Sequence, residues 1–245
     1  MDEDYVVPGP ININFINLTL RNNFGGSAFY LERLPNVSIV NSSIESNIDS
    51  GENLYAWRFE DWSHSFSSWY HLPDLFYAES HCTGHFYVDK VYKVDIANVY
   101  FSDNECSGGT MIYLHEVFDK IRIWNLTLSN NQFSDQEGGA LTINPLSSTS
   151  SDEPSQQNMP KILNSVFTGN INDQPSGDGA ISIVSSFSYR EYPVSLTVKD
   201  SVFEGNQGAI TSAINWLGVL LEIEDTVFRD NKSIFGATID FVHSA

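Results

Sequence analysis

The segment HCTGH at residues 81–85 sets His81, Cys82 and His85 within five positions, with His71 ten residues upstream. Imidazole and thiolate groups at short spacing are the ligands of zinc sites. One further cysteine, Cys106, lies twenty-four residues beyond Cys82, and the two could form a disulfide or remain two buried thiols. Aromatic rings crowd residues 57–74, WRFEDWSHSFSSWYHLPD. There Trp57, Trp62, Trp69 and Tyr70 could make a platform that stacks on sugar rings, or a hydrophobic flap packed over a sheet. The chain carries 31 Asp and Glu residues. A hydrolase, a lyase or a calcium site would need some of these carboxylates side by side on neighbouring elements. Which chemistry is open therefore depends on the elements that hold these residues.

Those elements repeat. DSVFEGNQGAI at 200–210 returns twenty-five residues later as DTVFRDNKSIFGAT, and the register extends through the chain. Asn recurs at Asn23, Asn47, Asn104, Asn131, Asn170, Asn206 and Asn231, with Glu79 filling the one long gap, for eight copies. Three positions earlier stands a large apolar residue: Leu20, Ile44, Phe76, Phe101, Leu128, Phe167, Phe203 or Phe228. Six positions earlier stands Asn17, Asn41, Asn98, Asn125, Asn164, Asp200 or Asp225. Glycine, often doubled, follows the Asn and leads into alternating apolar residues, as in GGALTINPL. Self-similarity at this period is the mark of a repeat architecture.

Alternating apolar residues, many of them β-branched or aromatic, read as short strands. Asn, Asp and Gly between them tolerate the positive φ of sharp bends. No amphipathic helix of ten or more residues is legible, which excludes helical repeats. Copies of about 25 residues with three strands and three bends predict a parallel β-helix, right-handed by the general rule for parallel crossovers. Stacked copies would lie about 4.8 Å apart, so each column of Asn would form a ladder of amide hydrogen bonds inside the stack. The fold expected is all-β, a right-handed parallel β-helix of about eight coils with Asn ladders. Residues 1–245 read as one domain, with a Trp-rich insertion at 57–74 and a flexible polar loop at 147–160. A third insertion, SFSYREYP, presents Tyr189, Arg190 and Tyr192 as a small contact patch.

The pairing of FSDN (101–104), FTGN (167–170), FEGN (203–206) and FRDN (228–231) with GGAL (138–141) and DGAI (178–181) resembles the repeat signature of chlamydial polymorphic outer-membrane proteins. It is also similar to the wider pectin-lyase-like β-helix repeats of bacterial and protist surface proteins. The resemblance covers nearly the whole chain. It implies the β-helix fold and a place at the cell surface, while proteins of this shape include adhesins, lyases, hydrolases and spacers alike.

A net charge of −19 argues against nucleic acid and anionic membranes as partners, since both call for basic faces. No run of eighteen apolar residues offers a membrane span, and MDEDYVV lacks the charge of a secretory leader. The repeat begins and stops without polar capping segments, so the ends are expected to be covered by further coils or by protein partners. Sequons occur at Asn17, Asn36, Asn41, Asn125 and Asn231. Asn36 alone is off the ladder columns and is the expected glycosylation site; the other four are expected to stack inside.

Two columns expected to face outward, nine and seven positions before the ladder Asn, never repeat an acid on adjacent copies. Glu222 and Glu224 stand by themselves beside Lys199. His81 and His85 straddle a corner whose strands diverge, so no metal site and no cofactor are expected. The reading is a non-catalytic extracellular or cell-surface module, structural or adhesive, that belongs to a larger assembly. The alternative is a polysaccharide-active lyase or hydrolase, or a carbohydrate-binding module, that uses the Trp-rich insertion. Possible contacts with glycans rest on the same rings.

Overall fold

The computed structural model describes residues 12–25, 29–32, 34–49, 86–107, 109–117, 120–135, 138–145, 160–183, 195–217 and 220–242. Among these the protein is all-β, without a helix, and the strands lie in three sheets. Sheet A has eleven strands, and sheets B and C have seven each. The chain visits them in a fixed order. One repeat runs Lys120–Ser129 in sheet A, Gln132–Phe133 in sheet B and Leu141–Pro145 in sheet C. Each strand pairs in parallel with its counterpart in the next repeat, as Ile123 does with Ile162 and Leu128 with Phe167. Seven repeats are stacked this way among the described residues. This order is compatible with a parallel β-helix.

Two bends in each repeat rest on residues with positive φ. The first is the column Asn17, Asn41, Asn98, Asn125, Asn164, Asp200 and Asp225, with φ between 47° and 55°. Asn and Asp tolerate this left-handed backbone better than other residues with a Cβ. The second bend uses the residue just before each ladder Asn, for example Asn130 at 53°, Gly169 at 62° and Gly205 at 64°.

Next to that second bend the ladder Asn side chains turn inward. Asn131 Nδ2 donates to Asn170 Oδ1 at 2.9 Å and to the carbonyl oxygen of Phe101 at 3.0 Å. Asn170 continues to Asn206, and Asn206 to Asn231, at 2.9 and 3.0 Å. At the other end Asn23 donates to Asn47, and Asn47 to Asn104. Each amide in the interior of the stack is thereby satisfied by its neighbours, which is what permits its burial. The apolar column packs beside this ladder. Phe101, Leu128, Phe167 and Phe203 are fully buried, and Phe228 is partly buried against them. Phe167 and Phe203 stack with ring centroids 4.8 Å apart, and Phe203 and Phe228 at 4.9 Å.

The glycines that precede the sheet C strands have a steric cause. A Cβ on Gly179 would stand 2.4 Å from the Ser212 carbonyl oxygen, and one on Gly236 would stand 2.0 Å from that of Ile210. The backbone of the adjacent repeat passes too close for any side chain.

Two expectations are corrected. The copy built on Glu79 has no place in the stack, because Asn36–Glu45 pairs directly with Lys93–Ser102 and Asn47 bonds directly to Asn104. The described stack therefore has seven repeats where eight were expected. Residues 50–85, including Phe76 and Glu79, lie outside the described residues and interrupt a single repeat, since Phe86–Asp89 completes in sheet C the repeat that Asn36–Glu45 begins. The second correction concerns the sequons. Asn17 and Asn41 are exposed and Asn125 is half-buried. Positive φ turns this column outward at the corner, where Asn125 Nδ2 donates to Asn98 Oδ1 at 2.8 Å. Of the four sequons expected inside, only Asn231 belongs to the inner ladder.

Candidate functional site on the outer face of sheet C

Sheet C strands alternate sharply between core and surface. In Ile112–Val117, Ile112 and Leu114 are buried in the core, while Tyr113 and His115 face the other way and are half-buried. Strand register then places like-facing residues in columns. Tyr113 lies beside Tyr87, and His115 lies between Asp89 and Asn144. The rings of Tyr87 and Tyr113 stack at 5.2 Å, and His115 stacks parallel to Tyr113 at 5.8 Å.

His115 Nδ1 lies 2.7 Å from Asp89 Oδ1, and the Asp89 side chain is only 9% exposed. Lys90 Nζ approaches Asp89 at 3.6 Å and Glu116 at 3.9 Å. Lys90 and Glu116 both have positive φ, 54° and 48°, and the sheet register shifts between His115 and Val117. This bulge carries the Glu116 carboxylate back toward Asp89, as bulges commonly re-aim side chains. One ligand atom each from Asp89, His115 and Glu116 lies within 4.8 Å of the others. A carboxylate pair, an imidazole and an ammonium in one half-buried cluster can hold a cation or a polar ligand, or form an ion-paired patch.

Further along the same sheet, polar residues are buried rather than exposed. Thr142, Ser182 and Asp178 are each 2% exposed or less. Asp178 Oδ2 accepts from Asn215 Nδ2 at 2.8 Å, while its Oδ1 has no hydrogen-bond partner. Burial pushes the Asp178 carboxyl up to about 6, a rise tempered by the Asn215 amide and the nearby hydroxyls of Ser182 and Thr211. Sheet A, by contrast, faces outward with ion pairs. Arg122 and Lys93 both pair with Asp95, at 2.5 and 2.8 Å. Burial works to raise the Asp95 carboxyl, but these two partners outweigh it and hold it below the ordinary carboxylate value. Glu222 and Glu224 both pair with Lys199.

Most of the residues singled out from the sequence are not among those described. Trp57, Trp62, Trp69 and Tyr70 lie outside the described residues, as do His71, His81, Cys82 and His85, the loop 147–159, and Tyr189, Arg190 and Tyr192. Pro160, at the end of that loop, is buried in the stack, and its carbonyl accepts from Thr197 at 3.0 Å. Cys106 is buried and disulfide-bonded. Asn36 is half-buried at a strand start, and its Nδ2 donates to Asn12 at 2.6 Å.

The cluster on sheet C escaped sequence reasoning, which compared only the columns before the ladder Asn. Those columns belong to sheet A. Aligning FYLE, FYVD, IYLH and LTIN after the glycines would have set Glu32, Asp89, His115 and Asn144 in one column. Comparison with protein-family models, with curated proteins and with solved structures finds no match to this chain.

Proposed function

We propose that the chain is a right-handed parallel β-helix, of the kind its FxxN and GGA[ILV] elements resemble, and that it serves as a non-catalytic structural or adhesion module at the cell surface or outside the cell. The observation that carries this reading is the unbroken pair of ladders, amide and apolar, through every described repeat from Asn23 to Asn231. Seven layers at roughly 4.8 Å each make a stiff unit about 30 Å long. The disulfide at Cys106 fits an oxidising compartment. On the outer face of sheet A the carboxylates of Asp95 and Glu224 are taken up in ion pairs.

Partners are proposed at the outer layers, as further coils or other subunits. Phe235 is 74% exposed and Phe241 45%, in the same repeat where Phe228 is only partly buried. Large apolar surface of this kind commonly marks a contact.

The test is antibody labelling of intact source cells, with and without permeabilisation, alongside incubation of the purified chain with acidic and neutral polysaccharides. Labelling of intact cells and no release of sugar ends are expected. Labelling only after permeabilisation, or cleavage of a polysaccharide, would overturn the reading.

A second reading, a carbohydrate-binding module, draws on Tyr87, Tyr113 and His115, whose stacked rings stand beside polar groups on the half-exposed face of sheet C. Retention on a glycan column that is lost in Tyr113→Ala would favour it.

A further inference from the structure

Asp89, His115 and Asn144 occupy consecutive positions of one outward column, and Glu116 is folded back beside them by a bulge. We propose that these four side chains bind a divalent first-row transition cation of the Zn2+ class. An imidazole nitrogen with carboxylate and amide oxygens suits such an ion better than Ca2+ or Mg2+, which favour all-oxygen shells.

Asn144 supplies an observation independent of the charged cluster. The residue is 7% exposed, and its Oδ1 has no hydrogen-bond partner. A buried amide oxygen left unpaired on the strand beside His115 is an acceptor in want of a cation. The Asp89 carboxylate is equally withdrawn from water, and the two carboxylates match the charge of a divalent ion.

The present geometry needs little change. Asp89 Oδ1 and His115 Nδ1 stand 2.7 Å apart, within hydrogen-bond distance. A metal ion bonded to both at about 2.0–2.1 Å in tetrahedral geometry would hold them roughly 3.3 Å apart, within reach of small side-chain rotations. The neutral imidazole would then carry its proton on Nε2. Lys90 is the competitor: its ammonium lies 3.6 Å from Asp89 and 3.9 Å from Glu116 and occupies the charge-balancing role. Its half-exposed stem lets it swing into solvent when the ion enters.

Isothermal titration of the chelator-stripped full chain with ZnCl2, CaCl2 and MgCl2 tests the site, with Co2+ absorption as a second readout. The expected result is a zinc site weakened at least tenfold in His115→Gln and several-fold in Asn144→Ala, and tightened several-fold in Lys90→Ala. Co2+ should give d–d bands that vanish in His115→Gln. Circular dichroism checks that each variant folds; if His115→Gln does not, the gain in Lys90→Ala decides. Zinc binding unchanged in His115→Gln would place the ion elsewhere, as in the segment 81–85, and overturn the proposal. So would no gain in Lys90→Ala, a preference for Ca2+, or no binding.

Discussion

Asn104 gives two hydrogen bonds to a single atom of Asn131: its Nδ2 and its backbone N–H donate to Asn131 Oδ1 at 3.0 and 3.1 Å. The ladder thus ties side chain and backbone of one repeat to the side chain of the next. Removing the Asn131 side chain strands both Asn104 donors and leaves the Phe101 carbonyl oxygen unserved, all in the preceding repeat. Asn131→Ala should cost about 1–3 kcal/mol in denaturant unfolding. Asn98→Gly, in the outward corner column, should cost less than about 1 kcal/mol, because glycine accepts the positive φ and the two lost amide contacts, to Asn41 and from Asn125, are exposed or half-buried rather than sealed in the core. Equal losses at the two positions would contradict the distinction between inner and outer ladders.

Asp178 makes stability depend on pH in an unusual direction. Its carboxyl is raised from 3.8 to about 6 by burial, so the folded protein holds this proton more tightly than the unfolded chain does. The contribution is full below about pH 3.8 and is lost as pH rises through about 6, with a size of about 3 kcal/mol. Asp178→Asn should remove that slope and stabilise the protein at pH 7 relative to pH 4. Asp95 acts with the opposite sign, since its lowered carboxyl favours folding above the ordinary value and loses this on acidification. Parallel thermal melts of the two proteins from pH 4 to 7 isolate the Asp178 part by difference. A constant offset between them would refute the buried-carboxyl account.

Gly179 and Gly205 separate two uses of glycine. A Cβ on Gly179 meets the Ser212 carbonyl oxygen at 2.4 Å, whereas the nearest atom to one on Gly205 is 3.9 Å away and only its φ of 64° is demanding. Gly179→Ala should cost about 1–3 kcal/mol, or more if the adjacent repeat cannot yield. Gly205→Ala should cost about 1–2 kcal/mol through the left-handed backbone alone. Gly205→Asn should recover most of that loss, while Gly179→Asn should not fold.

Cys106 is disulfide-bonded, and Cys82 is the chain's one other cysteine. Non-reducing peptide mapping should find the two peptides joined and no free thiol after denaturation. Cys106→Ser should lower stability by about 2–4 kcal/mol under oxidising conditions and leave a single alkylatable thiol. Dimers bridged through Cys82 in the unmodified protein would point to intermolecular pairing.

The sequence by itself determined the period, the three short strands per repeat and the identity of the two inward columns. Phe167 and Phe203, or Asn170 and Asn206, can be aligned by eye because a parallel stack sets like residues over like. Side-chain direction at a corner was not so legible. Asn98 and Asn104 are the same residue type at the same period, yet one is turned outward by positive φ and the other inward by the bend just before it. Nor could spacing reveal that residues 50–85 interrupt one repeat, because the ladder sets no limit on what is inserted between sheets, and Glu79 fell near the expected interval by chance. The grouping of Asp89, His115, Glu116 and Asn144 was decided by tertiary structure: it needs both the register of sheet C and a bulge at Glu116, and a bulge shifts side chains without altering the repeat that announces the fold.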